Sequence, residues 1–75
     1  MQANKTILQM KYARIVKLFA EHNQLSYEDA LGIFYDSVTY QLISKGVADM
    51  HCFSDGYLAD ELEMEWKESK NNESQ

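Results

Sequence analysis

Apolar positions recur along this chain with a helical period. Leu8, Tyr12, Ile15 and Phe19 fall at i, i+4, i+7 and i+11, one face of a helix that turns every ~3.6 residues. Val16 and Ala20 widen that face, and Lys5, Lys11, Arg14 and Lys17 lie mostly off it. The spacing predicts a first helix over residues 4–22, with Asn23 in the left-handed position that closes it. A second helix is expected to start at Ser26. Ser26-Tyr27-Glu28-Asp29 resembles a capping box, and Leu25 is placed to pack back on Ala30 as a hydrophobic staple. Glu28 and Asp29 favour the positive end of the helix dipole. Its apolar stripe is Ala30, Leu31, Phe34 and Val38.

Asp36-Ser37 marks an expected break, after which Ser37 caps a short third helix over 38–45 that carries Tyr40, Leu42 and Ile43 and stops at Gly46. Periodicity alone leaves open one unbroken helix over 26–45. Residues 47–53 are too few for a helix with both caps and read as a loop or short extended segment. Ser54 then caps a last helix over 55–68. Leu58, Leu62 and Trp66 mark its apolar face with Ala59 beside them, and Asp60, Glu61, Glu63 and Glu65 line the remainder. The expected fold is all-α: a small bundle of three to four helices around one thin core centred on Leu8, Ile15, Phe19, Leu31, Phe34, Leu42, Leu58 and Leu62. Residues 1–67 form the single domain. The polar stretch 68–75 has nothing to bury and is expected to fray as a tail.

Length sharpens the picture. A folded chain of 75 residues buries only roughly 60% of the surface that its unfolded form exposes. Small domains of this kind gain stability from a metal, a disulfide or a partner. Cys52 is the only cysteine, so no intramolecular disulfide can form, and a lone thiol fits a reducing compartment, with the cytoplasm as the default. His22 and His51 lie far apart in sequence, which disfavours a metal. A partner protein or a second copy in a homodimer is left as the expected stabiliser. The net charge of −5 repels phosphate backbones, so nucleic acid is not expected as a partner. No apolar run approaches a membrane span, and residues 1–6 lack the apolar stretch of a signal peptide, so no membrane association is expected.

The residue types that carry chemistry cluster once, at Asp49, His51, Cys52 and Asp55. Zinc would require a second pair of ligands, which is missing. A cysteine nucleophile requires a base held by a third group, and in an extended segment the adjacent His51 points the other way. The segment therefore reads as structural, with Met50, Cys52 and Phe53 packed under the helices and Cys52 largely buried. Lys11, Arg14 and Lys17 read as a solvated face. Asp60 to Glu65 is a solvated face or a patch that docks on a basic partner. No catalytic residue, cofactor, metal or small-molecule substrate is expected. The five tyrosines exceed what so thin a core can hold. Tyr35, Tyr40 and Trp66, with Glu61 and Glu65, are the candidate protein-binding residues, since Tyr and Trp dominate interface hot spots.

The run Phe34-Tyr35-Asp36-Ser37, Tyr40-Gln41-Leu42-Ile43, Gly46, Asp49-Met50-His51-Cys52 and Ser54-Asp55-Gly56-Tyr57-Leu58-Ala59-Asp60-Glu61-Leu62 resembles a family of short bacterial proteins common in gut Bacteroidetes and Firmicutes, a domain of unknown function. The resemblance covers residues 7–66. Members are small and helical and are often encoded beside a protein resembling an ADP-ribosyltransferase-type toxin. The resemblance implies an antitoxin or accessory role, and it carries no assigned catalytic residues to this chain. The leading expectation is a protein-interaction module. The alternatives are a helix-turn-helix regulator built on helices two and three, and a small enzyme or metal protein built on the His51-Cys52 segment. The helix-turn-helix reading calls for a basic recognition helix, and residues 38–45 offer only Lys45.

Overall fold

Three serines start three helices. In each, the serine hydroxyl accepts the backbone N–H three residues on: Asp29 to Ser26 at 3.1 Å, Tyr40 to Ser37 at 2.9 Å and Tyr57 to Ser54 at 3.1 Å. Each bond satisfies one of the donors that a helix start leaves unpaired. A computed structural model describes residues 5–73. It contains α1 (Lys5–Asn23), α2 (Tyr27–Tyr35), α3 (Val38–Ser44), a 3₁₀ turn (Val47–Cys52) and α4 (Asp55–Glu73), with no strand among the described residues. The protein is a small all-α bundle.

Ser37 is what divides the second and third helices. Its backbone is extended (φ −85°, ψ 154°), and its hydroxyl also donates to the Phe34 carbonyl. An unbroken helix over 26–45 is thereby excluded. The break also resets the helical phase, which corrects two core assignments. Val38 does not continue the α2 stripe and is 56% exposed. Thr39 and Ile43, one turn apart, take the inward positions of α3, so Ile43 is buried where Leu42 was expected, and Leu42 is half-buried.

The end of α1 falls one residue later than expected. Asn23 stays helical, and its side-chain amide donates to the Phe19 carbonyl and to Glu63 Oε1, both at 3.0 Å. Gln24 takes the left-handed position instead (φ 56°). The Leu25 amide then reaches back to the Ala20 carbonyl at 2.9 Å, the six-to-one bond of a Schellman ending.

Tyr12, Ile15, Val16, Phe19 and Ala20 of α1 meet Ala30 and Phe34 of α2, Ile43 of α3, and Leu58, Ala59 and Leu62 of α4 in one buried core. Leu8 and Leu31, expected at its centre, are half-buried at its edge. The two long helices run in the same direction. Lys11 and Arg14 meet Asp55 near one end, while Phe19 meets Trp66 and Asn23 meets Glu63 towards the other.

Residues 47–52 depart from the expected loop or extended segment. Gly46 turns the chain in the left-handed region (φ 70°), and a 3₁₀ turn follows. Met50 takes the inward edge of that turn and packs against the core. Cys52, two residues on, falls to the outside and is exposed, which corrects its expected burial. Phe53 is exposed as well. The polar stretch from Glu68 does not end α4, which continues to Glu73, and residues 74–75 lie outside the described part of the chain. No described helix is long and apolar enough to cross a membrane.

Removal of the Ser37 hydroxyl in Ser37→Ala is expected to lower stability by about 1–2 kcal/mol, because a cap and a buried bond go together. Cys52→Ala, at an exposed site, is expected to change it by less than about 0.5 kcal/mol. Urea unfolding followed by circular dichroism measures both, and equal losses would contradict these assignments.

Candidate functional site

α4 brings most of the polar chemistry of the chain onto one element, and much of it faces inward. At its first residue, Asp55 accepts from Lys11 Nζ at 2.9 Å through Oδ1 and from Arg14 Nε at 2.6 Å through Oδ2. Lys11 Nζ also donates to the Phe53 carbonyl at 2.6 Å. Two of the three residues read as a solvated basic stripe therefore fasten α1 to the start of α4, Arg14 from an exposed position, and Lys17 is exposed as well. Burial by itself would raise the Asp55 carboxyl. The hydrogen bonds and charges of Arg14 and Lys11 outweigh it and hold the group below its ordinary value of 3.8.

One turn after Leu62, Glu65 closes α3 from outside. Its carboxylate accepts from the Val38 amide at 2.7 Å, the Thr39 amide at 3.0 Å and the Thr39 hydroxyl at 2.8 Å. The start of α3 thus gains an anion against its free N–H groups, where the helix dipole favours one. Glu63 is held by the Asn23 amide and by Lys67 at 3.2 Å, and those contacts lower its pKa. Of the acidic run on α4, Glu63 and Glu65 hold the fold together.

Tyr40 and Tyr35 belong to an aromatic cluster at the α2–α3 joint. Their rings meet edge-on at 4.8 Å, and Tyr40 also packs on Phe34 at 5.2 Å and on Tyr12 at 5.5 Å. Desolvation, with Tyr40 and Tyr35 nearby, pushes the Tyr12 phenol above its usual pKa. Tyr35 forms the exposed edge of the cluster, and Tyr40 is half-buried within it.

Trp66 stands edge-on to Phe19 at 5.4 Å, with Lys70 Nζ 4.6 Å from the centre of its ring. The indole is half-buried. It walls an open cleft of about 280 Å³ between α4 and the α2–α3 joint, lined also by Ile33, Leu62, Asp36, Ser37, Glu65, Ser69 and Lys70. Of the five candidate binding residues, Trp66 and Glu65 reach this cleft, Tyr35 and Tyr40 pack on each other beside it, and Glu61 does not line it. Ile33 and Asp36 were missed. Ile33 lies one residue off the expected α2 stripe, and Asp36 was read only as part of the helix break.

The Asp49–Asp55 cluster does not assemble, because Asp55 turns to Lys11 and Arg14. Among the described residues no group of three or more His, Cys, Asp or Glu is gathered to hold a metal ion. No family model matches this chain, and no curated protein or solved structure matches it significantly.

Two outcomes follow from these contacts. A carboxylate with a lowered folded-state pKa contributes fully above its unfolded value, and that contribution is lost as pH falls through the folded value. Stability should therefore drop below about pH 4, and Asp55→Asn should flatten that drop at a cost of about 1 kcal/mol at neutral pH. Urea midpoints measured over this range check it. Glu65→Ala should cost about 1–3 kcal/mol, since it leaves the Val38 and Thr39 amides at the start of α3 without their acceptor. An unfolding midpoint equal to that of the unaltered chain would show the contact to be idle.

Proposed function

We propose that this chain is a protein-binding module whose docking site is the cleft walled by Trp66. The observation that carries the reading is the placement of that indole. Phe19 and Lys70 fix its orientation, yet part of it is left open beside Ile33 and Leu62. A preoriented aromatic in a cleft whose walls mix apolar and polar side chains is a form that interface hot spots take. The cleft has room for one large apolar side chain from a partner, and Asp36 and Lys70 at its rim can pair with polar groups around that anchor. No arrangement of nucleophile, base and oxyanion donors accompanies it, which favours binding over catalysis.

The family resemblance supports a specific setting, an antitoxin-like or accessory role towards an ADP-ribosyltransferase-like toxin encoded nearby. A module that blocks such an enzyme requires no active site of its own. The helix-turn-helix alternative is less well supported, because α3 carries no basic residue and its start is occupied by Glu65.

The test is titration against the product of the adjacent gene. Trp66→Ala should weaken the complex by about 2 kcal/mol or more. Because Trp66 also packs on Phe19, the exposed Ser69→Arg, which fills the cleft from its rim, provides a second variant that spares the core. Unchanged affinity in both, with helicity intact, would exclude the cleft. A wild-type chain that fails to bind would remove the toxin-partner reading and leave self-association as the next use of the site.

A further inference from the structure

A second surface lies on α4, turned away from the cleft. Tyr57, Glu61, Met64 and Glu68 fall at i, i+4, i+7 and i+11 and share one face. At ~100° per residue this face stands roughly opposite Trp66. Tyr57 is 51% exposed and Met64 59%. Phe53 extends the apolar surface at one end, its ring edge-on to Tyr57 at 5.2 Å and itself exposed. Val38 adjoins α4 through its amide bond to Glu65 and is also exposed.

The acids on this face differ from their neighbours. Glu63 and Glu65 are engaged within the fold, whereas among the described residues Asp60, Glu61 and Glu68 meet no cationic or donor side chain. The face thus presents large apolar side chains at helical spacing, with unpaired negative charge between and beside them.

We propose that the Tyr57–Glu61–Met64–Glu68 face of α4 is a docking surface for a cationic amphipathic helix of a partner protein. The spacing selects a helix, since ridges repeating every turn pack against matching ridges, and the stripe spans about three turns, or roughly 16 Å. Tyr and Met suit such contacts: one is a rigid aromatic with a polar tip, and the other adapts to irregular partners. Charge selects the cation. A second copy of this chain would bring Glu61 and Glu68 against the same acids on a molecule of net charge −5. Nucleic acid and anionic lipid are repelled for the same reason. This inference is independent of the cleft, which lies elsewhere on the helix.

The probe is a fluorescein-labelled peptide of about 18 residues made of Leu and Lys, with Leu at i, i+3, i+4 and i+7, titrated by anisotropy with the full chain. The control is the same composition scrambled to remove the apolar face. Met64→Lys and the double reversal Glu61→Lys with Glu68→Lys are each expected to weaken binding at least about tenfold. Raising the salt to about 0.5 M should weaken the wild type, and Ser69→Arg in the cleft should leave it unchanged. Absence of wild-type binding, equal binding of the scrambled peptide, or equal binding by the reversal variants would each overturn the proposal. Loss of binding in Ser69→Arg would overturn it by moving the peptide into the cleft. Wild-type sedimentation as a dimer that Met64→Lys dissociates would overturn it in favour of a second copy.

Discussion

The same-direction packing of α1 on α4 is the constraint on which the rest of the structure depends. These are the two long helices, and together they supply most of the buried core. The helices that follow and precede them, α2 and α3, are too short to hold their shape alone, since isolated helices below about 12–15 residues are marginal in water. α2 and α3 are therefore helical because α1 and α4 give their apolar faces a place to go. A chain connection between helices that run in the same direction must return across the bundle, and α2, α3 and the 3₁₀ turn make that return.

Apolar packing alone leaves the register of α1 against α4 weakly specified, because a slide by one turn exchanges one aliphatic contact for another. Polar contacts remove the freedom. Asp55 meets Lys11 and Arg14 near one end, Asn23 meets Glu63 towards the other, and the Phe19–Trp66 contact lies in the same stretch as the second pair. Each polar pair is modest in energy where solvent reaches it. Together they make a slipped arrangement lose several bonds at once. Glu65 extends the same logic to α3. Its carboxylate ties the α2–α3 joint to the helix that forms the other wall of the cleft, so the geometry around Trp66 depends on a contact between segments 26 residues apart.

Local signals in the sequence were legible because their physical cause is local. Ser26, Ser37 and Ser54 each bond an amide three residues on, and an N-cap can be read from one such residue before an apolar run. The all-helical architecture and most of the core were legible through periodicity. The failures have a different cause. Lys11 and Arg14 looked like a solvated stripe, because their partner Asp55 is more than 40 residues away. Glu65 looked like one more surface acid for the same reason. Val38 and Leu42 were misplaced because the break at Ser37 shifts helical phase by an amount that periodicity cannot supply. Cys52 was misplaced because a 3₁₀ turn stands where a loop or short extended segment was expected, which changes which residues share an edge. Trp66 was legible as a binding candidate, while the recess beside it was not. Ile33 and Asp36 enter the cleft only through the packing of α2 on α4.

α4 thus carries two kinds of acid that composition cannot separate. Glu63 and Glu65 have their charge spent inside the molecule, and Asp60, Glu61 and Glu68 do not. The distinction bears on how so small a protein can bind without loss of its fold. The groups that hold the bundle together line the inner edge of α4, and the exposed Tyr57 and Met64 lie on the outer one. Contact with a partner on the outer face leaves every internal bond of Glu63 and Glu65 in place. Contact in the cleft is different, because Trp66 and Glu65 serve the fold and the recess at once. A partner seated there would press on the same side chains that set the register of α1, α3 and α4. Its binding would then add to the stability of the native chain, as any ligand selective for the folded state must. A thin core is a weakness in isolation, and in such a complex it couples the fold directly to the partner.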